Sequence, residues 1–174
     1  DRCYHCKSEL FAELAALARR EGLNGVADGS NADDRGDYRP GTRAAREHGV
    51  LRPLQTLGFT KREIRDVSRA LGLPTADKPA AACLASRLPY GTPIAAAALA
   101  RIEQAEEALR RAGFAHCRVR LHGDVARIEV PAADLARALA GRVALVRRLK
   151  RIGLRYLALD LEGYRTGSLN EALR

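Results

Sequence analysis

Two sets of residues in this 174-residue chain have types and spacing that could do chemistry. The first is Cys83-Leu84-Ala85-Ser86-Arg87, within the stretch Lys78 to Gly91. Pro79 and Pro89 hold both flanks in extended or turn geometry, which places Cys83, Ser86 and Arg87 in a connector, where reactive groups are commonly carried. A thiol beside a guanidinium, with Lys78 near in sequence, favours the thiolate, the form that acts as nucleophile or metal ligand. The competing reading is a buried structural cysteine among alanines. The second set is Cys3-Tyr4-His5-Cys6. A pair of thiols at this spacing can bind a metal or exchange disulfides, but two ligands need more from elsewhere, and Cys83 is the obvious third.

The elements that must position these groups follow from periodicity. Leu10, Phe11, Leu14, Leu17 and Ala18 mark one face of a helix over Lys7 to Glu21 that stops at Gly22, so Cys3 and Cys6 are expected in the loop entering it, where the helix dipole would acidify them. Gly25 to Asp28 reads as a short buried parallel strand leading into Asp28-Gly29-Ser30-Asn31-Ala32-Asp33-Asp34. Gly29, Ser30 and Asn31 then stand where backbone N–H groups in α/β folds approach a nucleotide phosphate, although the same residues also make a plain solvated turn. A short helix over Arg43 to His48 and an extended Val50 to Leu54 come next. Thr60-Lys61-Arg62-Glu63 is a capping box, opening a helix with Ile64, Val67, Ala70 and Leu71 inward and a stop at Gly72-Leu73-Pro74. Alternating helices and extended segments over the first 75 or so residues argue for part of an α/β layer whose sheet is incomplete.

Beyond the connector, Thr92-Pro93 starts a helix with Leu99, Ile102, Ala105 and Leu109 inward, ending at Gly113. Cys117 to Val130 alternates about Gly123-Asp124, a hairpin turn that pairs Arg120 with Arg127, Arg118 with Glu129, Val119 with Ile128 and Leu121 with Ala126. One face is core and the other cationic. Opposed arginines repel, so an anion between them is expected, unless both simply reach into water. Cys117 falls on the apolar side and reads as structural. Pro131 to Ile152 is helical with a break at Gly141 and Leu135, Leu139, Val146 and Leu149 inward; the run Arg147-Arg148-Leu149-Lys150-Arg151 is a solvated face. Leu154 to Leu161 reads as a last strand, followed by Gly163-Tyr164-Arg165.

Hydrophobic content of 47% with 29% charged residues is that of a soluble globular protein, and no run is long enough to span a membrane. No signal peptide is visible, and four cysteines are too sparse for a secreted disulfide scaffold, so a cytoplasmic setting is expected. A net charge of +9 invites polyanions, yet the arginines are spread along the chain and aromatics are 5%, which disfavours nucleic acid and suits a small phosphorylated ligand. The chain opens on Asp1 almost directly before Cys3, and a fragment lacking an N-terminal part is expected.

Together Arg2 to Lys7, Asp28 to Asp34, Arg39-Pro40-Gly41, Leu57 to Lys61, Lys78 to Arg87 with Pro89-Tyr90-Gly91, and Leu159 to Arg165 resemble the LarE-type ATP-dependent sulfur transferases, PP-loop ATP pyrophosphatases that build the nickel-pincer nucleotide cofactor of lactate racemase. The resemblance runs over essentially the whole chain in order. It implies an α/β fold: the C-terminal part of a Rossmann-like PP-loop domain over 1–76, a catalytic connector over 77–92, and a smaller α+β domain for substrate binding and oligomerisation over 93–174. It implies ATP and Mg2+ as cofactors, a pyridinium dicarboxylate mononucleotide as substrate, and a homo-oligomer, in the family a hexamer. Cys83 matches the sulfur donor, with Arg87 beside it; Ser86, Arg118 and Arg120 match positions near substrate or nucleotide phosphate; Glu129 matches an acidic metal-binding position. Cys3 and Cys6 resemble the subgroup in which three cysteines, here with Cys83, hold a [4Fe-4S] cluster. The family's Ser-Gly-Gly-x-Asp-Ser loop is absent from these residues, so they are not expected to adenylate a substrate alone. A tRNA-thiolating PP-loop protein is the alternative.

Overall fold

A computed structural model describes residues 2–36, 40–78 and 82–165. The chain divides into two compact units, Asp1–Ala80 and Ala81–Arg174. Pro79, Ala80 and Ala81 of the expected connector, Arg39, and the residues after Arg165 lie outside the described residues.

The first unit is helical: α1 (Arg2–Arg20), α2 (Pro40–Glu47), α3 (Pro53–Thr56) and α4 (Lys61–Ala70). Helix α1 begins five residues earlier than the apolar spacing predicted, so Cys3 and Cys6 lie on the helix and not in a loop before it. Tyr4 and Ser8 hold the reason: Tyr4 Oη donates to Glu47 at 2.7 Å, Ser8 Oγ lies 2.8 Å from His48 Nε2, and the Arg43 guanidinium covers the Tyr4 ring, fastening the first turns of α1 to α2. Gly41 permits this approach, since a Cβ there would stand 3.0 Å from Lys7 Cγ and 3.6 Å from Cys3 O. Phe11, Ala44, Ala45 and Val50 form the core. The expected strand over Gly25 to Asp28 is reduced to one parallel bridge, Ala27 to Leu51. Leu54 belongs to α3, because Pro53 presets the first helical turn there. The capping box forms as read: Thr60 accepts from Glu63 N while the Glu63 carboxylate accepts from Thr60 N. The helix it opens buries nothing fully; Val67 and Leu71 are 47% and 70% exposed.

The second unit contains α5 (Ala96–Arg111), β1 (Arg118–His122), β2 (Val125–Glu129), α6 (Leu135–Ala140), α7 (Arg142–Arg151) and β3 (Tyr156–Leu159), in a sheet of order β1-β2-β3. The hairpin takes the predicted register, with Gly123 at φ +59° in its turn, and β3 returns parallel to β2 after α6 and α7. Helix α5 starts at Ala96; Pro93 lies in the irregular segment before it and not at its first turn. Ile102, Ala105 and Leu109 of α5 pack on Val119, Leu121, Ala126 and Ile128 of the sheet with Leu149 of α7. The break at Gly141 is present, but Leu139 and Val146, predicted inward, are exposed. Overall this is a mixed helix-and-sheet chain, compatible with the α/β reading. No helix among the described residues is long and apolar enough to cross a membrane.

Candidate functional site

The turn carrying Cys83 is a short 3-10 helix, Leu84–Arg87, with Cys83 as its N-cap residue. Its shape is set by Arg87, which points inward. The Arg87 guanidinium donates from Nη1 to Ala82 O at 3.2 Å, Cys83 O at 3.4 Å and Ser86 Oγ at 2.9 Å. Its other side meets the Glu106 carboxylate in a two-pronged pair, Nε to Oε1 at 2.7 Å and Nη2 to Oε2 at 3.2 Å. Both residues are buried, and Glu106 Oε1 also accepts from Val119 N at 3.1 Å, so one carboxylate joins the turn, α5 and β1. Arg87 thus folds the turn under Cys83 while the Cys83 thiol itself is exposed.

Glu106 escaped the sequence reading. Its signal was present, since it lies four residues after Ile102 and next to Ala105 on the buried stripe of α5, where an unpaired carboxylate would be costly.

The hairpin face expected to be cationic is internally neutralised. Arg120 is 2% exposed and Glu129 0%, and Glu129 Oε1 accepts from Arg120 Nε and from Arg127 Nη2, the latter at 3.0 Å. The anion predicted between the opposed arginines is therefore a carboxylate of the chain itself, placed diagonally across the register. Arg120 Nη1 also donates to Ser86 O at 3.0 Å, tying β1 to the Cys83 turn. Glu129 Oε2 is buried without a hydrogen bond among the described residues. Both guanidinium groups bond Glu129 through Oε1. Among the described residues no three His, Cys, Asp or Glu side chains are grouped to hold a metal ion.

Arg118, the Cα partner of Glu129, forms no ion pair with a carboxylate among the described residues; its guanidinium lies 4.5 Å over the Tyr164 ring. Burial, and then the neighbouring charges of Arg87 and Arg120, pull its pKa below the ordinary arginine value. Gly163 makes this contact accessible. It sits at φ +73°, and a Cβ would fall 2.7 Å from Val130 O, so only glycine lets Tyr164 N reach that carbonyl at 2.8 Å.

Cys117 is buried beneath Glu106 O, and desolvation pushes its thiol up to about 11, as expected of a structural cysteine. In the first unit Cys3 and Cys6 are exposed and one helical turn apart, a spacing that puts both thiols on one side of α1. In the Gly29-Ser30-Asn31 loop Ser30 N donates to Asp28 Oδ1, Asn31 N to Asp34 Oδ2 and Asp33 N to Asn31 Oδ1, while Ala32 N donates outside it to Phe59 O. The turn reading accounts for these bonds, and a nucleotide there would meet the Gly29 N–H and side chains.

The structure therefore brings Ser86, Arg87, Arg120 and Glu129 into one network, adds Glu106 and Tyr164, and leaves Arg118 as its cation without a carboxylate among the described residues. An arrangement of this kind can bind an anion beside an exposed thiol. No family model matches the chain. It is 46% identical over 175 residues to an uncharacterized protein of Synechocystis sp., covering 99% of this chain and 65% of the relative. It is 38% identical over 173 residues to the pyridinium-3,5-bisthiocarboxylic acid mononucleotide synthase of Lactiplantibacillus plantarum, covering 99% and 63%, and 30% identical over 166 residues to an uncharacterized protein of Methanocaldococcus jannaschii, covering 95% and 65%. The chain thus spans a little under two thirds of the length of these curated relatives.

Proposed function

We propose that this chain carries the sulfur-transfer part of an ATP-dependent enzyme that converts the carboxylates of a pyridinium dicarboxylate mononucleotide to thiocarboxylates, a step of nickel-pincer cofactor biosynthesis. The reading rests on similarity to the Lactiplantibacillus synthase, and the observation that carries it is an exposed Cys83 on a turn fastened to the strand that presents Arg118, which has no carboxylate partner among the described residues. Arg118 and the Ser86 hydroxyl bind the nucleotide phosphate. Arg87 and Arg120 hold the turn that carries Cys83.

In the reaction the Cys83 thiolate attacks the acyl carbon of the substrate's acyl adenylate and AMP departs with the C–O bond electrons. A base then removes the Cα proton of Cys83, the Cβ–S bond breaks, and its electron pair leaves with the sulfur as thiocarboxylate; dehydroalanine remains at position 83. ATP and Mg2+ serve the adenylation. If a [4Fe-4S] cluster were bound, Cys3, Cys6 and Cys83 would be the thiolates to hold it, and it would supply sulfide in place of the Cys83 sulfur. We infer a cytoplasmic homo-oligomer as the working state.

The test uses the full-length protein with ATP and the mononucleotide. Cys83→Ala should abolish thiocarboxylate formation with an unchanged melting temperature, and the spent wild type should lose the mass of one hydrogen sulfide molecule at Cys83. Arg118→Ala should weaken substrate binding at least tenfold, one charge-assisted phosphate contact being worth about 1.5–3 kcal/mol. Native-rate thiolation by the Cys83 variant would overturn the assignment. Anaerobic reconstitution followed by iron analysis separates the two sulfur sources: iron retained by wild type and lost in Cys3→Ala and Cys6→Ala identifies the cluster.

A further inference from the structure

The second unit contains another concentration of arginine that the sulfur-transfer reading does not use. Arg111 at the end of α5, Arg137 on α6 and Arg148 on α7 line a concave pocket of about 410 Å3 floored by Ala112, Phe114, Gly141, Ala144 and Leu145. Among the described residues no Asp or Glu lines it. The small residues of the floor leave the space, and the guanidinium groups border it.

Arg137 is fixed in place before any ligand arrives. Its guanidinium stacks 4.1 Å over the Phe114 ring, and Nη2 donates to Gly113 O at 3.1 Å and to Asp134 Oδ1 at 2.9 Å. Gly113, at φ +94°, makes room for it, since a Cβ there would stand 2.8 Å from Arg137 Nη1. Arg111 Nε pairs with Glu107 at 2.9 Å, a carboxylate that also serves Arg110. Arg148 has no hydrogen bond or ion pair among the described residues. Of the three arginines lining the hollow, Arg111 is paired with Glu107 and Arg137 with Asp134, so among the described residues Arg148 is the excess positive charge. Planar guanidinium groups arranged around a hollow suit phosphate oxygens, which they take in paired hydrogen bonds.

We propose that this pocket binds a small phosphate-bearing anion, with Arg148 and Arg111 closing on phosphate oxygens and Arg137 as the fixed donor. This assigns Arg148 to a site and not to the solvated face that its place in a basic run suggests.

The experiment is an amide-resolved NMR titration of the 174-residue chain with inorganic pyrophosphate at low ionic strength, where exposed charges are least screened. Saturable shifts are expected at Ala112, Gly141 and Ala144, weakened at least tenfold by Arg148→Glu and partly kept by Arg148→Lys. The same shifts should persist in Arg118→Ala, which separates this pocket from the anion site beside Cys83. Absence of saturation, equal shifts with sodium chloride at matched ionic strength, or shifts untouched by Arg148→Glu would overturn the proposal. So would saturable shifts with single-stranded RNA and none with pyrophosphate.

Discussion

The two units resolve the same problem differently. In the second, fourteen residues of the described chain form one buried cluster around the sheet, and the buried charged residues of the same unit are paired, Arg87 with Glu106 and Arg120 with Glu129. In the first, four residues form the cluster, while Leu23, Leu51, Leu57, Val67, Leu71 and Leu73 are exposed and the ion pairs are on the surface. Both have amphipathic helices. The difference teaches that a helical apolar stripe specifies a buried face only where another element supplies the opposite wall: α5 has the sheet, whereas α4 buries no residue fully. It also separates two kinds of charge. The Arg87–Glu106 and Arg120–Glu129 pairs organise the site turn, while Arg69, exposed between Asp66 and Asp77, organises nothing beyond its own helix end.

The strongest way to break this comparison is to separate the units. Residues 81–174 expressed alone should unfold in one cooperative transition, whereas residues 1–80 alone should show a broad, weakly cooperative one and bind a hydrophobic dye; equally sharp transitions by circular dichroism would contradict the account. Next in size is Glu106→Ala, which leaves the Arg87 guanidinium buried without its counter-charge and should cost about 3–5 kcal/mol in urea denaturation. Arg69→Ala, removing two exposed ion pairs, should be indistinguishable from wild type in the same assay.

A pH-dependent effect sharpens the picture of the second core. The Cys117 thiol is held up to about 11, above its ordinary 9.0, so the unfolded chain loses this proton first as pH rises. The stability from keeping it protonated is complete below about pH 9 and declines until the pH passes the folded value. Relative to Cys117→Ala, the wild type should lose on the order of 1 kcal/mol by about pH 10, measured as the difference between the two denaturation curves.

Much of the site was legible in the sequence, and what was legible was local. The hairpin register follows from strict alternation about Gly123-Asp124, because a one-residue slip would turn Val119 and Leu121 out of the core. The Thr60–Glu63 capping box needs only four consecutive residues, and Cys117, just before β1, needs only its parity with Val119 and Leu121. Tertiary structure decided the rest, since charge neutralisation depends on which distant segments meet. Whether an anion between Arg120 and Arg127 would come from a ligand or from Glu129 could not be read from pairing, because the carboxylate reaches diagonally across the strands. That Arg87 would turn inward to Glu106, nineteen positions away, and so leave Cys83 exposed while Arg118 rests on Tyr164, required the turn, α5, the hairpin and the chain after β3 to be packed together. Burial has the same origin: Val67, Leu71 and Leu139 lie on apolar stripes, and only the presence or absence of a facing wall separates them from Ile102 and Leu109.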